Sequence, residues 1–153
     1  MAKQVDFYLI SNQIVDARYK LASRLSNKLS RLQRSVLMVT DTEPNLERLD
    51  QVLWSFSDTS FVAHEILTSN GLEATPTPCK VFIAQVDQVV PEDLGSHFDV
   101  LVNMAGTVPV FNHHFDRIVE IVEPDEADKS AARGRFKVYK EEGFELKTHP
   151  IEL

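Results

Sequence analysis

Lys129, Arg133, Phe136, Lys137 and Lys140 follow one another at intervals of four, three, one and three residues, a spacing that keeps them on one side of an α-helix. At about 100° per residue they fall within about a quarter turn, so four cations flank one aromatic ring. Such a stripe suits an anion that carries an apolar group. Guanidinium and ammonium groups make charge-assisted hydrogen bonds to carboxylates, and the ring supplies apolar contact. The competing reading is a solvated helical face with no ligand. Ala127, Ala131 and Val138 lie opposite, with Tyr139 at their edge, and are predicted to pack on the core. Arg135 falls inside that arc and is expected to snorkel its head outward. Glu123, Asp125, Glu126 and Asp128, with Pro124 among them, place the helix start near Asp125. Gly134 inside the helix costs about 1 kcal/mol relative to Ala, and Gly143 marks the stop.

Other candidate chemistry is thin. The chain has no GxxxxGK[ST] and no GxGxxG; its five glycines are Gly71, Gly95, Gly106, Gly134 and Gly143. The turn Asn103 to Pro109 carries a lone glycine, a weak phosphate signal. His113 and His114 are adjacent, which points their rings apart and disfavours one shared metal ion. Ser11, Asp41, Glu43 and His64 show no nucleophile-and-base spacing, and Cys79 beside Pro78 reads as a small buried apolar residue. No catalytic residue, cofactor site or metal site is expected. A second interaction clue is Trp54, which lies off the packing face of its helix and precedes Phe61. The two aromatics either anchor an interface or complete the core.

The elements that position these residues follow from periodicity. Val5 to Ile10 is predicted as a buried strand, and Asp16 to Leu32 as a helix with Leu21, Leu25, Leu29 and Leu32 inward. Lys20, Arg24, Lys28 and Arg31 form a second basic stripe there, read as solvated because no aromatic lies within it. Ser35 to Thr40 is the next strand. Asp41 or Thr42 caps a helix whose inward stripe is Leu46, Leu49, Leu53 and Phe56. Phe61 to His64, Lys80 to Ala84, Asp99 to Met104 and Asp116 to Val122 are predicted strands, Thr68 to Pro78 a loop, and Phe144 to Leu146 a closing edge strand. Strands alternating with helices imply an α/β fold: a single domain over residues 1–153 with three layers and a largely parallel central sheet flanked by helices, Rossmann-like but without a phosphate-binding loop.

At 153 residues, 43% hydrophobic and 25% charged, the chain resembles an ordinary globular domain. The apolar runs are strand-sized, the N-terminus does not resemble a signal peptide, and one cysteine allows no intrachain disulfide. These features suit a cytoplasmic protein without membrane contact. A net charge of −7 argues against tight direct nucleic-acid binding, although a local cationic groove is compatible with it.

The strand DFYLI, the helical RLDQVLW followed by SFVAH, the strand ending VEIVEP and the C-terminal RxRFKxYKxxGFxL occur in this order. Together they resemble the chi subunit family of bacterial DNA polymerase III over nearly the whole chain; the segment from Thr68 to Val90 matches weakly. The resemblance implies a non-catalytic adaptor without cofactor that joins two proteins. One is the psi subunit, which leads to the clamp loader. The other is the single-stranded-DNA-binding protein, whose acidic C-terminal tail ends in Pro-Phe, so that DNA is contacted only indirectly. Carried onto this chain, Arg133 and Lys137 would pair with tail carboxylates, Lys129 and Lys140 would steer, and Phe136 and Val122 would hold the terminal ring. Phe136 stands where relatives commonly have Tyr. Trp54, Phe61, Val62 and His64 would face psi, and Ala63 stands where relatives can have Pro. A repair helicase shares this surface in some relatives. Two other functions compete: a small nucleotide-dependent enzyme using loops around Asp41 and Gly106, and a domain binding nucleic acid directly through Lys129 to Lys140.

Overall fold

Among the residues the structure describes, seven strands, all parallel, form one sheet. The computed structural model describes residues 3–55, 64–67, 81–94 and 98–153. Its elements are β1 (Gln4–Ile10), α1 (Ala17–Arg31), β2 (Val36–Thr40), α2 (Glu43–Trp54), β3 (His64–Ile66), β4 (Val81–Gln85), β5 (Val100–Met104), β6 (Arg117–Val122), α3 (Glu126–Glu141) and β7 (Glu145–Ile151). Across the sheet the described strands run in the order β3-β4-β2-β5-β6-β1-β7, parallel throughout, which goes beyond the largely parallel sheet expected.

Side-chain alternation divides the core between the two sheet faces. Met38, Ile83, Val102, Val119 and Ile121 pack with Leu21 and Leu29 of α1 and Leu49 and Leu53 of α2. On the other face Phe7, Leu37, Val39, Leu101 and Ile118 pack with Ala132 and Tyr139 of α3 and with Phe98, Phe111, Phe115 and Phe144. Central strands β2 and β5 are buried at every residue, as expected for a sheet covered on both faces. This is a three-layer α/β architecture.

The chain leaves β6, runs through α3 and returns as β7 on the far side of β1, so α3 lies across three neighbouring strands. Its start is fixed by Asp125, whose side chain accepts from the Asp128 amide at 2.8 Å, while Asp128 Oδ2 accepts from the Glu123 amide at 2.7 Å. Its end is a Schellman turn. Gly143, at φ +92°, donates to the Lys140 carbonyl, Phe144 donates to the Tyr139 carbonyl, and the Tyr139 and Phe144 rings meet edge-on at 5.5 Å.

Several expectations are corrected. Ala127, Ala131 and Val138 are exposed, and the buried face of α3 is Ala132, Arg135 and Tyr139 with Phe136 at its margin. Arg135 does not snorkel: a carboxylate lies in the core to receive it, so its head goes inward and turns the helix accordingly. Leu32 is 61% exposed because α1 ends one residue earlier and the chain has left the helical track. The last strand is not a stub at Phe144 to Leu146 but runs Glu145–Ile151, paired to β1 along its whole length. Of the two caps expected for α2, Asp41 and Thr42, it is Thr42 that serves, accepting from the Asn45 amide at 3.3 Å. The strand expected from Phe61 is described from His64 and reaches Ile66; Phe56, Cys79 and the 68–78 loop lie outside the described residues. Among the described residues no helix is long and apolar enough to cross a membrane.

Candidate functional site

At the carboxyl end of β1, where nucleotide-binding proteins of Rossmann architecture keep a glycine loop, the chain instead presents Leu9 and Ile10, with Val122 at the end of neighbouring β6. Together with Phe7, Thr148 of β7 and the first half of α3, they line a cavity of about 390 Å³, within the range of small-ligand sites. Ala132, Phe136, Lys129 and Arg133 form its helical wall, and Glu123 closes one end. Phe136 is seated by Phe7, the two ring centres 5.3 Å apart. Lys129 and Arg133 are exposed one helical turn apart, so an apolar floor carries a cationic rim.

Val122, Lys129, Arg133 and Phe136 are thus brought together. Lys137 and Lys140 do not line the cavity; they are exposed on the same helix, Lys137 rotated about 100° past Phe136 and Lys140 one turn further along. Residue types alone missed Phe7, Leu9, Ile10 and Thr148. Leu9 and Thr148 carried a usable signal, since β1 and β7 alternate and both fall on the face of Phe7.

Beneath α3 lies a buried polar network. Arg135 Nε donates to Glu120 Oε1 at 2.9 Å, the Tyr139 hydroxyl to Glu120 Oε2 at 2.7 Å and Asn103 Nδ2 to the same oxygen at 2.7 Å. Arg135 Nη1 also donates to the Gly106 carbonyl at 3.2 Å. Burial pushes the Glu120 carboxyl above the ordinary range against the opposing pull of Arg135, Tyr139 and Asn103. Burial likewise pushes the Tyr139 phenol up, reinforced by the carboxylate beside it. The network has no access to solvent at Glu120 and acts by holding α3 in one rotational setting, which fixes which side chains face the cavity.

The other candidate surface is at the end of α2. Trp54 is 52% exposed, and its ring centre lies 4.8 Å from that of His64, which is buried and whose Nε2 is 2.6 Å from Asp50 Oδ1. His64 therefore supports the Trp54 ring from below. Phe61 and Val62 lie outside the described residues. Asp41 accepts from Asn45 at 2.7 Å, and the adjacent histidines lie in a 3-10 turn with His113 3.7 Å from Glu142. Among the described residues no group of three or more His, Cys, Asp or Glu side chains converges as metal ligands would.

The fold is thus an all-parallel three-layer α/β domain of Rossmann-like architecture that carries a cation-rimmed apolar groove where a phosphate loop would sit. A family model described as DNA polymerase III chi subunit, HolC, matches residues 1–147, and the chain belongs to that family of replication accessory subunits. It is 32% identical over 148 residues to the DNA polymerase III subunit chi of Pseudomonas aeruginosa, covering 97% of this chain and 96% of the relative. It is similar to the subunits of the same name from Haemophilus influenzae, 27% identical over 151 residues with 99% of each chain covered, and Escherichia coli, 26% identical over 151 residues with 95% of this chain and 97% of the relative covered.

Proposed function

We propose that this chain is a non-catalytic adaptor of the DNA polymerase III holoenzyme, forming a single domain that binds the acidic C-terminal tail of single-stranded-DNA-binding protein in the groove beside α3. Through the Trp54 surface it binds the psi subunit and hence the clamp loader. The observation that carries the reading is the groove itself: an apolar cavity floored by Phe7, Leu9 and Val122, walled by Phe136 and rimmed by Lys129 and Arg133. A peptide ending in an apolar ring and a free carboxylate offers both halves of its complement. The ring enters the cavity and loses apolar surface to Phe136 and Val122, and Arg133 pairs with carboxylate oxygens. Lys129 and the outlying Lys137 and Lys140 act mainly through long-range attraction.

Ordering a short flexible tail opposes binding, so affinity is expected near micromolar, about −8 kcal/mol. Titration of an acidic peptide ending in Pro-Phe tests the assignment. Arg133→Ala is expected to weaken it by roughly tenfold, since the side chain is exposed and its loss leaves the fold intact. Affinity should also fall with added salt. An unchanged affinity in Arg133→Ala would remove the groove from the account.

A further inference from the structure

Glu123 poses a difficulty for any anionic ligand, because it lines the same cavity as Lys129 and Arg133. Asp128, adjacent to Lys129 in α3, adds a second negative charge at that end. Arg18, projecting from the first turn of α1, answers both. Its Nη2 lies 3.2 Å from Glu123 Oε2 and 3.0 Å from Asp128 Oδ1. All three side chains are largely covered, at 23%, 28% and 18% exposure, so solvent screens the triad only in part.

We propose that Arg18 is the specificity-determining residue that makes the groove mouth accept anions, by cancelling the charge of Glu123 without touching the ligand itself. Without Arg18, two carboxylates would balance Lys129 and Arg133 and leave the mouth with no net attraction; with it the mouth is cationic. The geometry suits the task. Asp128 Oδ2 also accepts from the Glu123 amide, so the backbone at residue 123 is fixed and the Glu123 side chain is held toward α1. Arg18 is therefore a positioning residue for the site read above, and the inference rests on that reading.

The test uses an acidic peptide ending in Pro-Phe as probe, titrated against four full-length proteins at low and high salt. Arg18→Ala is expected to bind about fivefold more weakly than wild type at low salt, with the loss shrinking as salt rises. Glu123→Gln is expected to bind as tightly as wild type or tighter. The double variant Arg18→Ala with Glu123→Gln should return to within about twofold of wild type, because the charge left uncancelled by the first change is removed by the second. A purely structural role for Arg18 predicts no such rescue, since the double variant lacks the tie between α1 and the start of α3 as completely as the single one does. Equal binding by wild type and Arg18→Ala, or a double variant no better than Arg18→Ala, overturns this inference while leaving the groove assignment standing. A wild type that ignores the peptide overturns both.

Discussion

Asp6 is 2% exposed in the interior of β1, yet it accepts from Arg117 Nε at 3.0 Å, lies 2.8 Å from His149 Nε2 and accepts from Gln4 at 2.9 Å. Burial alone would raise its carboxyl; the hydrogen bonds from His149, Arg117 and Gln4 outweigh that and hold it below the ordinary value. A depressed folded value means that ionised Asp6 stabilises the fold above the unfolded value of about 3.9. That contribution is lost as pH falls through the folded value. The difference in melting temperature between wild type and Asp6→Asn should therefore be full at neutral pH and close toward zero in increasingly acid buffer. A difference that stays constant to the acid end would show that the charge is not the source. Arg135 shows where residue types mislead. Read from sequence, Arg135 falls within an inward arc of Ala127, Ala131 and Val138, and an unpartnered guanidinium there is expected to turn its head outward. Glu120, distant in sequence on β6 and not assignable as its partner from spacing, supplies the countercharge that reverses this.

Among the elements, α3 was legible in its limits and misread in its rotation. Acids before Glu126 and a glycine after Glu142 declare its ends, because capping is local chemistry. Ala132, Arg135 and Tyr139, with half-buried Phe136 at their margin, do follow i, i+3, i+4, i+7, but only once the arginine is counted as core. Gly134 lies on the exposed side of this helix, and a Cβ built there meets nothing within 4 Å. Gly134→Ala should therefore stabilise the protein by about 0.5–1 kcal/mol, read as a rise in denaturation midpoint without a change in denaturant slope. No gain would show that the position carries strain absent from the geometry. The length of β7 was hidden for a different reason. Lys147, Thr148, His149 and Pro150 read as a polar tail, yet an edge strand is paired on one side only and tolerates charge and proline. Missing those residues also concealed Thr148, and with it one wall of the groove. Buried strands β2, β4, β5 and β6 were plain, since runs of apolar residues of that length have few other uses.

At the scale of the molecule, the groove and the Trp54 surface sit at opposite ends of the sheet and on opposite faces. Trp54 is the last residue of α2, which packs through Leu49 and Leu53, near edge strand β3; the groove lies beside α3 at β6, β1 and β7. The groove spans β6, β1 and β7, so at least four strand spacings, about 19 Å, separate it from β3, more than twice the distance over which charge acts at physiological salt. The two sites should therefore be energetically independent. Trp54→Ala is expected to lose the psi subunit in co-purification while binding the tail peptide normally, and Arg133→Glu to do the reverse; loss of both partners by either variant would contradict separate surfaces. The architecture followed from alternation of strands and helices, and the chemistry of the groove from one helical stripe. Sequence separation hides the meeting of that stripe with β1 and β7, which lie more than a hundred residues apart in the chain and side by side in the sheet.

The proposed function requires the groove to grip a free carboxylate attached to an apolar ring. One comparison tests it most directly: titration of wild-type protein with two acidic peptides identical except that one ends in a free Pro-Phe carboxylate and the other in its amide. Binding near micromolar is expected for the free acid, with weakening of about tenfold on amidation, the loss of one charge-assisted pair with Arg133. Equal affinities for the two peptides would contradict it.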